Sequence, residues 1–186
     1  MRVYINPGHD VKHDSGACNP DSGMRECDVA LTIGSLTAQY LEAAGCETML
    51  RQSDNLNWDS SYEDRQDVAV CPEANDWPAD LFVSIHCNAA SGSAQGTEKL
   101  VWCEGGEAGQ LARCIQAQIV SSLGTVDRGI KERGDLIVLK RTSMPAVLVE
   151  TAFIDNAEDA ELLANRQDDF ARAIARGITD YMNGEE

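Results

Sequence analysis

Four side chains in this sequence have the types and settings for hydrolytic chemistry: His9, Glu26, His86 and Glu150. His9 follows the run VYINPG, His86 ends LFVSI, Glu150 ends AVLV, and Glu26 opens a stretch of helical periodicity. Two imidazoles and one carboxylate make a tetrahedral set for one zinc ion, with the fourth position open to water. A second carboxylate is then needed to take a proton from that water and hand it to a leaving nitrogen. Glu150 is free for that task, which leaves His9, Glu26 and His86 as the metal ligands. Spacing alone does not specify zinc, because none of the ligands sits in a tight local motif such as HExxH. Each residue also has an ordinary reading. A histidine at a strand end is commonly a hydrogen-bonded structural group, and a glutamate in a first helical turn complements the helix dipole. Glu150 resists such a reading, since burying an unpaired carboxylate costs several kcal/mol.

The elements that must bring these residues together alternate between strand and helix. Arg2 to Asn6 is a first strand, stopped by Pro7-Gly8. Glu26 to Ala44 is a helix, with Val29, Ile33, Leu36 and Tyr40 at steps of three or four and Gly45 as its stop. Thr48 to Arg51 is a short strand, Tyr62 to Ala74 a helix interrupted by Pro72, and Leu81 to His86 a continuous apolar strand of the buried, parallel kind. Lys99 to Trp102 is a further strand, Leu111 to Leu123 a helix, Leu136 to Leu139 a short strand, and Ala146 to Val149 another apolar strand. Asn156 is the expected N-cap of a helix through Leu163. Phe170, Ile174, Ile178 and Met182 line one face of a last helix. The pattern predicts an α/β fold: one domain over 1–186, a twisted, mostly parallel mixed sheet with helices on both faces. In such sheets ligands bind outside the carboxyl ends of the strands, where His9, His86 and Glu150 are expected to converge. The loop from Pro7 to Met24 should bring Glu26 to the same edge.

Composition narrows the partners. With 31 acidic and 15 basic residues the net charge is −16, which repels nucleic acid and anionic membranes. No apolar run approaches the roughly 20 residues that span a bilayer, so no membrane insertion is expected. The opening MRVYINPGHD lacks the basic stretch, apolar core and cleavage site of a signal peptide. Seven cysteines without tight spacing argue for mostly free, partly buried thiols, although a single Cys18–Cys27 bridge is compatible with the spacing.

Read in order, INPGH, DSGA, G-M-R-E opening a helix, ADLFVSIHCNA, GTE, DRGIK and MPAVLVETAFIDN resemble the amidase_3 family of N-acetylmuramoyl-L-alanine amidases, from Val3 to about Tyr181. The resemblance implies a phosphorylase/hydrolase-like fold, zinc held by His9, Glu26 and His86, and catalysis by Glu150. It also implies peptidoglycan or muropeptides as substrate, cut between N-acetylmuramic acid and L-alanine, by an autolysin, a sporulation or germination enzyme, or an endolysin. The expected site of action is the bacterial cell wall, either as a domain of a secreted protein or as an endolysin made in the cytoplasm, and as a monomer. Because the charge opposes unaided adhesion to an anionic wall, a separate targeting module is expected. Two rivals stand beside this reading: a zinc carboxypeptidase on a similar sheet, and an inactive wall-binding module.

The chain departs from the family in Gly8-His9-Asp10-Val11, where a glycine-rich turn is usual, in Ala152, where glycine is usual, and in Cys87, where alanine is common. His13 stands four residues past His9, but the surrounding Pro, Gly and Ser oppose the helix that would pair them. Cys87 should face away from His86 as a core thiol. Asn88 should shape the turn after His86. Arg128 either meets a substrate carboxylate or pairs with an acidic neighbour. Trp58, Trp77 and Trp102 are packing residues or sugar platforms. Neutral histidines bind metal, so zinc affinity is expected to fall below about pH 6.

Overall fold

A computed structural model describes residues 1–57 and 68–184. Its centre is built from the apolar runs. β1 (Arg2–Pro7), β3 (Leu81–Asn88) and β6 (Ala146–Phe153) lie side by side and parallel, and their residues are almost wholly buried. A strand covered on both faces cannot alternate polar and apolar residues, which is why these three read as continuous hydrophobic stretches. β2 (Glu47–Leu50) adds in parallel beside β1. On the other side β4 (Thr97–Val101) runs antiparallel to β6, and β5 (Asp127–Glu132) runs parallel to β4 at the edge. The six strands stand in the order β2-β1-β3-β6-β4-β5. The expected mostly parallel mixed sheet is present.

Alternate residues of the strands feed two cores. Val3, Ile5, Val83, Ile85, Val147 and Val149 face α1 (Glu26–Ala43), α3 (Glu107–Leu123) and α6 (Gln167–Asn183). Tyr4, Phe82, Leu100 and Leu148 face the much shorter α2 (Val70–Asp76) and α4 (Ile137–Arg141). α5 (Ala157–Asn165) follows β6, and its N-cap is as read: Asn156 accepts hydrogen bonds from the amides of Glu158 and Asp159.

Two elements differ from expectation. Leu136 to Leu139 does not form a strand, because Ile137–Arg141 is a single helical segment, α4, which buries Val138 and Leu139. β5 takes the polar segment DRGIKE, which no apolar pattern announces. Pro72 sits in the first turn of α2, where a missing amide leaves no helical bond unmade, so it does not interrupt the helix. The rest of the segment expected to be helical from Tyr62 lies outside the described residues, as does Trp58. All seven cysteines are free thiols, so the Cys18–Cys27 bridge does not form.

α6 packs directly on α3 at Gly177, where an added Cβ would stand 2.5 Å from the Ile115 Cα and 2.7 Å from its nitrogen. Alanine in place of an open helical glycine stabilises by about 1 kcal/mol. At this contact the sign should reverse: Gly177→Ala is expected to destabilise the domain by about 1–3 kcal/mol, read from chemical denaturation midpoints.

Candidate active site

The site forms at the carboxyl ends of β1, β3 and β6. β1 ends at Pro7, and Gly8 donates its amide to the Ile85 carbonyl, still in line with the sheet. His9 then turns with φ 59°, the left-handed region, the single non-glycine residue to do so among the described residues. That conformation costs a residue with a Cβ roughly 1–2 kcal/mol. It swings the imidazole off the strand direction, bringing Nε2 to 3.4 Å from Glu26 Oε1.

Glu26 is the first residue of α1 and 3% exposed. Its carboxylate is held from two sides: Oε2 accepts from the Ala17 amide at 2.8 Å and Oε1 from the Cys87 amide at 3.0 Å. The same Oε1 lies 2.9 Å from His86 Nδ1. On the other edge of the His86 ring, Nε2 is 3.1 Å from Ser84 Oγ, and that hydroxyl also contacts Asn6 Oδ1 at 3.0 Å. The two imidazoles meet edge to face with centroids 5.1 Å apart. One donor atom from each of His9, Glu26 and His86 lies within 4.8 Å of the others. Two imidazole nitrogens and one carboxylate at that spread are a donor set suited to zinc.

Two glycines make this approach possible. A Cβ on Gly8 would stand 2.2 Å from the His86 ring, and one on Gly16, at φ +69°, would stand 2.5 Å from Glu26 Oε2 and 2.6 Å from the His9 ring. The loop between β1 and α1 is also tied to β6 through Asn19, whose Nδ2 donates to the Ile154 carbonyl at 2.8 Å.

Glu150 lies within β6 rather than at its end, in register with His86 on one side and with Glu98 on the other. Its Oε2 is buried without a hydrogen-bond partner. Burial pushes its carboxyl up to about 7, with Glu26 and Glu98 adding to the rise and His86 opposing it. Glu26 behaves oppositely. Burial alone would raise it, but His86 and His9 hold it well below the usual carboxylate range. The bond to Glu26 lifts His9 to about 9, against the effect of burial.

The remaining singled-out residues fall as follows. His13 Nδ1 is 3.2 Å from Asp10 Oδ2, apart from the ligand cluster. Cys87 points into the opposite core, where burial raises its thiol well above normal. Asn88 is still in β3 and donates to Glu98 Oε1 at 3.1 Å. Arg128 pairs with Glu98, Nε to Oε2 at 2.8 Å. Trp77 packs beside Tyr4, and Trp102 lies against Gly134. Asp14 and Asp54 escaped the sequence reading: their carboxylates stand 3.2 Å and 3.7 Å from His9 Nδ1. Nothing local marks them, because the contact depends on how the loops after β1 and β2 meet.

The sheet, with this cluster at its strand ends, is that of an amidase catalytic domain. It superimposes on the N-acetylmuramoyl-L-alanine amidase of Nostoc punctiforme with a TM-score of 0.84 and 33% identity, covering 98% of this chain and 97% of that one. The family model described as N-acetylmuramoyl-L-alanine amidase (Amidase_3) matches residues 3–180. The chain belongs to that family of amide-bond hydrolases. It is 38% identical over 184 residues to the N-acetylmuramoyl-L-alanine amidase LytC of Bacillus subtilis, covering 96% of this chain and 35% of LytC. It is 35% identical over 196 residues to an endolysin of Bacillus phage SPP1, covering 97% of this chain and 66% of the endolysin. The chain thus spans about a third of one relative's length and two thirds of the other's.

For the metal-free protein, nuclear magnetic resonance titration of the His9 ring should give a midpoint near the value of about 9 set by Glu26. Glu26→Gln should bring it down toward the ordinary 6.5. A raised histidine stabilises the fold fully below its unfolded value, so this contribution should be lost as pH rises from 6.5 through about 9. An unshifted His9 would contradict the contact with Glu26.

Proposed function

We propose that this domain hydrolyses the amide bond between N-acetylmuramic acid and the L-alanine of the stem peptide in peptidoglycan or its fragments. One zinc ion is held by His9, Glu26 and His86, and the working unit is a monomer. The observation that carries the reading is Glu150 Oε2, a buried carboxylate oxygen with no partner, one strand away from His86. A structural glutamate would be paired, since an orphaned buried carboxylate is costly. A proton acceptor must instead be open to what it acts on.

When bound, zinc supplies Lewis acidity, polarising a carbonyl and making water easier to deprotonate. The chain's own groups do the rest. Glu26, fixed by the amides of Ala17 and Cys87, holds its carboxylate where both imidazoles can share a ligand with it. Asp14 and Asp54 face the outer nitrogen of His9 and favour the tautomer that turns Nε2 inward. Glu150 accepts a proton from the attacking water and passes it to the departing alanine nitrogen. Its carboxyl, at about 7, is matched to giving up and regaining a proton near neutrality. No helix among the described residues is long and apolar enough to cross a membrane, which accords with action on the wall.

Digestion of purified peptidoglycan, with products read by mass spectrometry, tests the assignment. Metal-loaded protein should release stem peptides that begin at L-alanine, and a chelator should abolish release. Glu150→Gln should lower kcat by roughly 100- to 10,000-fold while the protein still binds zinc. Released single amino acids would point to a carboxypeptidase, and wall binding without cleavage to an inactive module. The pH profile is a separate check. Glu150 must be ionised to take a proton, so kcat/KM should fall as pH drops through about 7 or, with the cation nearby, somewhat lower.

A further inference from the structure

The active edge carries a cation that the hydrolytic reading does not use. Because β4 runs antiparallel to β6, the amino-terminal ends of β4 and β5 lie beside the carboxyl end of β6. Glu98 therefore stands next to Glu150, and Arg128, second residue of β5, stands on the strand beyond. Strand spacing would leave β5 roughly 10 Å from β6. The Arg128 side chain closes that gap: its guanidinium carbon sits 4.9 Å from the centroid of the Phe153 ring on β6. The guanidinium thus reaches over to β6 at Phe153, three residues past Glu150, while its Nε holds Glu98, the residue in register with Glu150.

Its charge is not used up by its neighbour. Glu98 is 6% exposed, and it takes both Arg128 Nε at 2.8 Å and Lys131 Nζ at 2.5 Å on the same Oε2, while Asn88 occupies Oε1. Two cations on one carboxylate leave one positive charge over, in a chain of net charge −16. Arg128 Nη1 donates to the Gln95 carbonyl at 3.3 Å, a long bond, and Nη2 makes no hydrogen bond among the described residues. A buried base anchors the fork, an aromatic ring supports its plane, and its outer edge stays exposed. This is how a planar cation is pre-arranged to receive a carboxylate.

Resting on the amidase reading above, we propose that Arg128 recognises a free carboxylate on the stem peptide. Because Arg128 is held on Glu98, the strand neighbour of Glu150, and lies over Phe153 further along β6, that is the carboxylate one or two residues beyond the alanine whose nitrogen departs. The cluster then sets substrate preference: a peptide bearing the charged carboxylate is favoured, and one in which it is an amide is not. Lys131 shares Glu98 with Arg128, so that carboxylate does not neutralise the guanidinium alone.

The test compares two soluble muramyl peptides, identical except that the residue after L-alanine carries a free α-carboxylate in one and a carboxamide in the other. The metal-loaded protein should cleave the first with kcat/KM higher by roughly 10-fold or more, the difference lying mainly in KM. Arg128→Ala should bring the ratio close to one, and Arg128→Lys, which keeps the charge without the fork, should restore part of it. If Arg128→Ala unfolds, the wild-type ratio and Arg128→Lys decide the matter. Equal cleavage of both peptides by the wild type would overturn the proposal and leave the amidase reading intact. Cleavage of neither by metal-loaded protein would overturn both.

Discussion

One carboxylate organises the site. Glu26 reaches from the start of α1 into the gap between two strand ends, and each of its oxygens is already committed to a backbone amide, Ala17 on one side and Cys87 on the other. Those bonds hold the charge in place before any ligand arrives. His9 and His86 then gather on it, from the loop after β1 and from β3, which share no sequence neighbourhood. The close packing this requires falls on Gly8 and Gly16, whose missing side chains leave the room the rings occupy. His9 adds a backbone turn that most residues avoid. Local strain and tight approach are concentrated here, where three side chains must point at one small volume.

The reversal of strand direction between β6 and β4 is the second determinant. In an all-parallel sheet, the residues beside Glu150 would be followed by helices on every strand. Here β4 enters from the active edge, and Thr97 and Glu98 come into line with it as a strand begins rather than ends. The arrangement puts a paired acid, Glu98, beside an unpaired one, Glu150. Lys131 and Arg128 hold Glu98 below its ordinary value against burial, whereas burial dominates at Glu150. Neighbouring carboxylates are driven apart in acidity by what each is allowed to touch.

The strands that matter most for the site were readable because burial on both faces leaves nothing but apolar residues in them, as in LFVSI and AVLV. His9, His86 and Glu150 were readable because a polar group following such a run is conspicuous, whereas Glu26 was marked only as the opening of a helix. Where the reading failed, the residues carry no such contrast. IVLK in α4 is as apolar as a strand and too short for helical periodicity to show. DRGIKE forms an edge strand whose residues are exposed or only half-buried, so the apolar sheet pattern never reaches the sequence. The left-handed turn at His9 and the approach of Asp54 are consequences of loops meeting in space, which no spacing along the chain encodes.

On β4, beside the strand that carries Glu150, sits Lys99, with its side chain wholly enclosed between β4 and α3. Its amine donates to Thr97 Oγ1 at 2.8 Å and Gln116 Oε1 at 2.9 Å, and Thr97 in turn donates to the Glu150 carbonyl at 2.9 Å. Burial lowers that amine to about 7, so near neutrality a large share of it is uncharged and intrinsically nucleophilic, yet no reagent can reach it while β4 and α3 stay closed. Lys99 is therefore a built-in clock: covalent labelling of this one amine would advance only at the rate at which β4 parts from α3, reporting an opening beside the strand that carries Glu150 rather than the motion of the surface.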